Sequence, residues 1–208
     1  QRDFNGAIAA FDAAYSADPD NVSYLNARGN AYRYIGDDDH ALADYDASLR
    51  MRPNYAPAYD DRGWVYMRRG EVQRALEEFN SAVKYAVNDG PRYVFLVNRG
   101  RAETLLKRYD AALADFAEAE KINAGGWQVP AQRCITYTEI QKFAEALVDC
   151  NAALTKQPQS DYFLTSRANA YLASGDLDAA LDDYRAALKI APNSVRALAG
   201  RGQLFEKK

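Results

Sequence analysis

An arginine returns along this chain at Arg28, Arg62, Arg99, Arg133, Arg167 and Arg201, with spacings of 34, 37, 34, 34 and 34 residues. It brings its neighbours with it. Ala-Arg-Gly-Asn-Ala-Tyr at 27–32 becomes Asp-Arg-Gly-Trp-Val-Tyr at 61–66, Gln-Arg-Cys-Ile-Thr-Tyr at 132–137 and Ser-Arg-Ala-Asn-Ala-Tyr at 166–171. Self-similarity at a period of a few tens of residues means that one small supersecondary unit is copied, and that each copy buries its apolar face against the next.

Frames of 34 residues start at Val22, Ala56, Tyr93, Trp127, Asp161 and Val195. Position 8 is small (Gly29, Gly63, Gly100, Cys134, Ala168, Gly202), position 20 is always alanine (Ala7, Ala41, Ala75, Ala112, Ala146, Ala180), and position 24 is aromatic in all but one copy (Phe11, Tyr45, Phe79, Phe116, Cys150, Tyr184). Apolar and small residues recur at positions 4, 8 and 11 and again at 20, 24, 27 and 28, each set a helical stripe. Gly36, Gly70 and Gly175 sit where a first helix ends, acids such as Asp37, Asp110 and Asp176 open the second, and Pro19, Pro53, Pro158 and Pro192 close it. The expected class is therefore all-α: an α-solenoid of tandem antiparallel helix pairs. It is read as one array over 1–208, with a half repeat at 2–18, full repeats at 22–55, 56–92, 93–126, 127–160 and 161–194, and a terminal helix at 195–206.

The position-7 arginine of each of the five full repeats is matched by an acid at position 23 (Asp44, Glu78, Asp115, Asp149, Asp183). A ladder of ion pairs between helices is expected over a free anion-binding row, because the partner charges recur with the arginines. The ends discriminate two pairings. Pairing within a repeat leaves Arg201 alone, whereas pairing with the preceding repeat leaves Arg28 alone, since Ala10 fills that place. Cys134 and Cys150 replace the small residue and the aromatic of one repeat. Positions 8 and 24 look offset by about a turn, so buried free thiols are expected, with a disulfide the alternative for an exported chain. The segment Asn88-Asp89-Gly90-Pro91-Arg92 carries three extra residues and lacks the closing proline, a tolerated loop or a contact loop.

Charge and composition exclude other classes. With 29 acidic against 26 basic residues the net charge is −3, so no basic field invites nucleic acid. No apolar run approaches the roughly 20 residues of a membrane span, so membrane insertion is not expected. His40, the single histidine, lies in an interhelix turn, leaving no credible base for a triad; no zinc spacing and no phosphate loop is present. Catalytic residues, a metal site and a cofactor are accordingly not expected, and no enzyme is read from this sequence. Gln1 to Phe4 already fall inside a repeat, so the N-terminus is expected to be trimmed and the compartment stays open.

The pattern resembles the tetratricopeptide repeat family, whose Trp/Leu-Gly-Tyr … Ala … Phe … Pro signature these frames reproduce over essentially the whole chain. Pentatricopeptide repeats, which bind RNA, do not pair a small residue at 8 with alanine at 20, and the acidic balance argues against them. The resemblance implies a superhelix whose first helices line a concave groove, with positions 2, 5, 9, 12 and 13 pointing inward. Carried onto this chain, those positions give Asn30, Arg33, Tyr34, Asp60, Trp64, Met67, Arg68, Val94, Val97 and Arg101, then Ile135, Glu139, Tyr162 and Asn169. Trp, Met, Tyr and Arg on one surface are the types enriched at interfaces. The expected ligand is a protein or peptide of apolar and acidic character, held around Tyr34, Trp64, Met67, Arg68 and Arg101. The chaperone-tail subclass is not matched, because Asp61 stands where a carboxylate would be received. The alternative reading is a regulatory or substrate-recruiting part of a larger enzyme or of a secretion or assembly apparatus. Self-association through the exposed terminal helices is a further expectation.

Overall fold

The computed structural model describes residues 3–207, and these form twelve α-helices and no strand. The helices fall into two compact units, Gln1–Lys107 and Arg108–Lys208, with the division between the two helices of the third repeat. The first holds α1 (Phe4–Ala17), α2 (Val22–Ile35), α3 (Asp38–Met51), α4 (Ala56–Arg68), α5 (Val72–Tyr85) and α6 (Asp89–Leu105). The second holds α7 (Tyr109–Ile122), α8 (Gln128–Glu139), α9 (Phe143–Lys156), α10 (Asp161–Ser174), α11 (Leu177–Ile190) and α12 (Val195–Lys207). The start expected at residue 2 lies outside the described residues.

Within each unit, consecutive helices pack as hairpins, and each first helix also touches the next: α2, α4 and α6 in one unit, α8, α10 and α12 in the other. The frame explains this. Ala41, Ala75, Ala112, Ala146 and Ala180 are fully buried, as are Tyr45, Phe79, Phe116 and Tyr184. The alanines remove bulk where second helices meet first helices, and the aromatics fill the adjoining space. Burying each ring stabilises the fold by about 2–3 kcal/mol. The helices approach closely at two position-8 glycines, Gly29 and Gly63. A Cβ on Gly29 or Gly63 would come within 2.7 Å of the ring of Tyr45 or Phe79 respectively. Neither site has room for a side chain.

Gly36 and Gly175 end α2 and α10 in the left-handed region, at φ 87° and 91°, and Asp37 and Asp176 then cap the following helices by accepting the backbone N–H of His40 and Ala179. The same left-handed turn is made without glycine at Lys107 (φ 59°) and Gln141 (φ 61°).

Cys134 and Cys150 form a disulfide, with their Cα atoms 5.2 Å apart. This corrects the expectation of free thiols. Positions 8 and 24 are not offset by a turn. They face each other directly, as Gly29 faces Tyr45 and Gly63 faces Phe79, which puts the two Cα atoms within the range a disulfide spans.

The arginine row pairs in both directions. Arg28 binds both oxygens of Asp44 in its own repeat, at 2.9 and 2.6 Å, and turns its remaining nitrogen to Asp12 of the preceding helix pair at 2.5 Å. Arg62 does the same with Glu78 and Asp46, Arg133 with Asp149 and Glu120, and Arg167 with Asp183 and Asn151. The planar fork of guanidinium allows one side chain to join three helices. Arg201 makes no ion pair among the described residues.

Candidate functional site

The C-terminal halves of α2, α4 and α6 project Arg33, Trp64, Met67, Arg68, Arg101 and Leu105 around a cleft of about 350 Å³ in the first unit. Their frame positions, 9, 12 and 13, follow one face of successive first helices, so side chains from three repeats meet although they are 34 or more residues apart in sequence.

Trp64 forms the central wall. Its ring is half-buried, meets Phe79 edge-on at 6.1 Å, and carries the guanidinium of Arg101 at 5.0 Å from its centroid. Among the described residues Arg101 has no ion pair, so its donors are open to a ligand. The other two arginines are engaged. Arg68 donates to the carbonyl of Arg33 at 2.7 Å and pairs with Asp38. Arg33 donates to Asn30 Oδ1 at 3.3 Å, lies 3.8 Å from Asp61, and stacks on Tyr34. The cleft thus joins an aromatic and thioether wall to one uncommitted cation, an arrangement suited to an apolar side chain with an adjacent carboxylate.

Arg33 links the cleft to a polar cluster. Asp61 accepts from the side-chain amides of Asn26 and Asn30, both at 2.8 Å, and Tyr45 donates to Asn30 Oδ1 at 2.9 Å. Asp60 accepts from Asn98 of α6 at 2.8 Å. Burial raises the pKa of both carboxyls. Asp60 is pushed up to about 7, its burial and the nearby Asp61 charge outweighing the Asn98 hydrogen bond and the attraction of Arg33. Asp61 stays occupied by its two asparagines.

The structure does not bring all the sequence-derived positions to this surface. Asp60 and Val97 are buried, at 8% and 7% exposure, and so are Asn26, Ala131 and Thr165, the position-5 residues of the other full repeats; only Ala199 of the terminal helix is exposed there. The correction has a simple cause: position 5 is covered where one first helix packs on the next. Asn30 is half-buried in the polar cluster. Tyr34 is 56% exposed at the edge, stacked on Phe4 of α1 at 5.1 Å, and Val94 is exposed on the first turns of α6. Neither lines the cleft.

In the second unit, Ile135 is half-buried and Glu139 exposed on α8. Tyr162 on α10 meets Phe163 edge-on and lies under the Arg196 guanidinium at 4.6 Å. Asn169 accepts the Tyr184 hydroxyl at 2.6 Å and opens on a separate cleft of about 360 Å³ with Leu172, Gln203 and Glu206, which Ile135, Glu139 and Tyr162 do not line. Among the described residues no group of three or more His, Cys, Asp or Glu side chains is placed to hold a metal, and no helix is long and apolar enough to cross a membrane.

Comparison with known proteins places these features. A family model described as tetratricopeptide repeat matches residues 1–56 and 61–126, and another described as TPR repeat matches 168–208. The BBSome complex member BBS4 of Mus musculus is 28% identical over 105 residues, which are 50% of this chain and 20% of that protein. Heat shock protein STI1 of Saccharomyces cerevisiae is 30% identical over 107 residues, 51% of this chain and 18% of that protein. The matched segment is thus about a fifth of either relative. Among solved structures, a tetratricopeptide repeat protein from Parabacteroides merdae superposes with a TM-score of 0.80 at 20% identity, covering 99% of this chain and 80% of its own. PilW, described as a type IV pilus biogenesis factor, gives 0.79 at 17% identity, covering 95% and 90%. YrrB, described as a TPR protein with an unusual peptide-binding site, gives 0.63 at 20% identity, covering 93% and 98%. At these identities the likeness concerns the fold.

Proposed function

Because this chain belongs to the tetratricopeptide repeat family, we propose that it is a non-enzymatic protein–protein interaction scaffold whose first-unit cleft takes a peptide of apolar and acidic character. Proteins of this family generally act as interaction scaffolds. The observation that carries the finer reading is the pairing of Trp64 with Arg101 beside Met67 and Leu105, a half-open apolar wall next to a cation with no internal partner. Desolvated aromatic and arginine side chains contribute most of the affinity at interfaces, and a carboxylate meeting an open guanidinium adds orientation.

Selection from a displayed library of random peptides tests this. The reading expects enrichment of Leu or Phe next to Asp or Glu, loss of that enrichment in Arg101→Glu, and its retention in Arg185→Glu, a change on the exposed face of α11. Enrichment of basic peptides, or the same winners with Arg101→Glu, overturns it.

Such repeats also occur as segments of far longer proteins, as the one-fifth coverage of BBS4 and STI1 illustrates. This favours, as a second reading, a recruiting region within a larger enzyme or assembly apparatus. Self-association is part of the same proposal. It is supported at α12, where Val195, Leu198 and Phe205 are 78%, 42% and 58% exposed, more than at α1, where Phe11 and Tyr15 are half-buried. A molar mass independent of concentration in light scattering counts against it.

A further inference from the structure

The lengthened segment at 88–92 stands beside a second recess in the first unit. Without its closing proline, α5 ends at Tyr85, and the chain turns through Val87 into a lengthened α6 of 17 residues. Between these turns and the junction of α3 with α4 lies a notch of about 330 Å³. Tyr55, Pro57, Tyr85, Val87 and Phe95 form its apolar lining, and Arg52 stands at its edge. It shares no residue with the first cleft.

Several features mark it as unfinished. Val87 is 89% exposed, the greatest exposure of any large apolar side chain described. The rings are already ordered: Tyr59 stacks on Tyr85 at 5.7 Å, and Phe95 closes the floor at 5% exposure. The charge around them has one sign. The Arg52 guanidinium lies 5.6 Å from the Tyr55 ring and the Lys84 ammonium 5.1 Å from the Tyr85 ring, and neither cation has an ion pair among the described residues. No carboxylate lines the notch. Asp61, whose charge bears on Tyr55, is held by Asn26 and Asn30, and Asp89 is exposed on the first turn of α6 outside the lining. The N-terminus of α4, which enters here at Tyr55, has no side-chain cap, so its positive dipole end adds to the same field.

We propose that this notch is a second docking site, which receives an extended segment of a partner protein presenting a large apolar side chain flanked by acidic side chains. The apolar group covers Val87 and packs between Tyr55 and Tyr85, while the carboxylates meet Arg52 and Lys84. Charge complementarity selects this occupant: a basic or neutral segment would leave both cations unmatched and the apolar recess rimmed by unopposed positive charge. The proposal stands apart from the reading of the Trp64 cleft.

Isotope-labelled protein titrated with a capped glutamyl-phenylalanyl-glutamate tripeptide, followed by NMR, tests it. Saturable shifts at Val87 and Tyr85 in the millimolar range are expected. They should weaken about fivefold or more with the glutaminyl counterpart and with Arg52→Glu, which corresponds to about 1 kcal/mol. Val87→Asp, on a side chain that carries no packing, removes them with the fold retained, whereas Trp64→Ala leaves them unchanged. Shifts confined to Trp64 and Arg101, equal response to both peptides, or no response up to the solubility limit would each overturn the proposal.

Discussion

The guanidinium of Arg101 lies over the indole ring of Trp64, 5.0 Å from its centroid, and joins two helices that are consecutive first helices of neighbouring repeats. Substituting Arg101 removes a cation–π contact of roughly 0.5–1 kcal/mol and no ion pair, so the thermal midpoint of Arg101→Ala should fall by only a few degrees. Affinity for an acidic, apolar peptide should fall about tenfold or more, because the charge-assisted bond is lost at a partly desolvated site. Isothermal titration calorimetry beside differential scanning fluorimetry separates the two effects. A large stability loss with unchanged affinity would reassign Arg101 to a purely structural part.

The disulfide between Cys134 and Cys150 does by covalent bonding what a ring against glycine does in the neighbouring repeats. Closing a loop of this length stabilises by about 3 kcal/mol in the chain-entropy account. Reduction should therefore lower the thermal midpoint of the intact chain by several degrees. The double change Cys134→Gly with Cys150→Tyr, which restores the pairing of Gly29 with Tyr45, should recover most of the loss and abolish the response to reductant. A melting curve with and without dithiothreitol reads both outcomes.

Asp60 confers a pH dependence whose sign follows from its environment. Its carboxyl is raised by burial to about 7, against about 3.9 in an unfolded chain, so the folded state holds the proton more tightly between these values. Stability from this group is present below the unfolded value and is lost as pH rises towards 7. Asp60→Asn, which keeps an acceptor for Asn98, should be more stable than the parent at pH 8, and its advantage should grow by about 2 kcal/mol between pH 5 and pH 8. Asp61 and Glu78, also raised by burial, push the same way and remain in both proteins. Urea midpoints across this range are the measurement.

Lys107 and Gln141 occupy the left-handed turn that Gly36, Gly70 and Gly175 occupy elsewhere. An L side chain there costs about 1 kcal/mol, which glycine avoids, although glycine gives back part of the gain through its freer unfolded chain. Lys107→Gly and Gln141→Gly should each raise stability by about 0.5 kcal/mol, and the double variant should exceed either single. Chemical denaturation of the single and double variants decides this. A loss of stability on either substitution would show that the side chain makes a compensating contact.

Much of this architecture is legible in one dimension. The arginine spacing, the invariant alanine and the aromatic four residues after it locate the helix pairs, because each hairpin solves the same packing problem with the same residues. The family's groove positions, carried onto the frame, also single out Trp64, Met67 and Arg101. Its failures are equally physical. The family resemblance turned position 5 into the groove, yet Asn26, Asp60, Val97, Ala131 and Thr165 are all buried, because burial there comes from the neighbouring first helix and not from the helix itself. Lys107 and Gln141 carry no glycine to announce their turn, although their place in the frame does.

The amino-acid sequence by itself determined the repeat, the all-α class and the ladder of arginines and acids, since those follow from periodicity and local chemistry. Only the tertiary structure decided which carboxylates each arginine shares, that Cys134 meets Cys150, and which cation is left open beside Trp64. Those outcomes depend on distances between helices, and such distances are set when side chains from different repeats pack together.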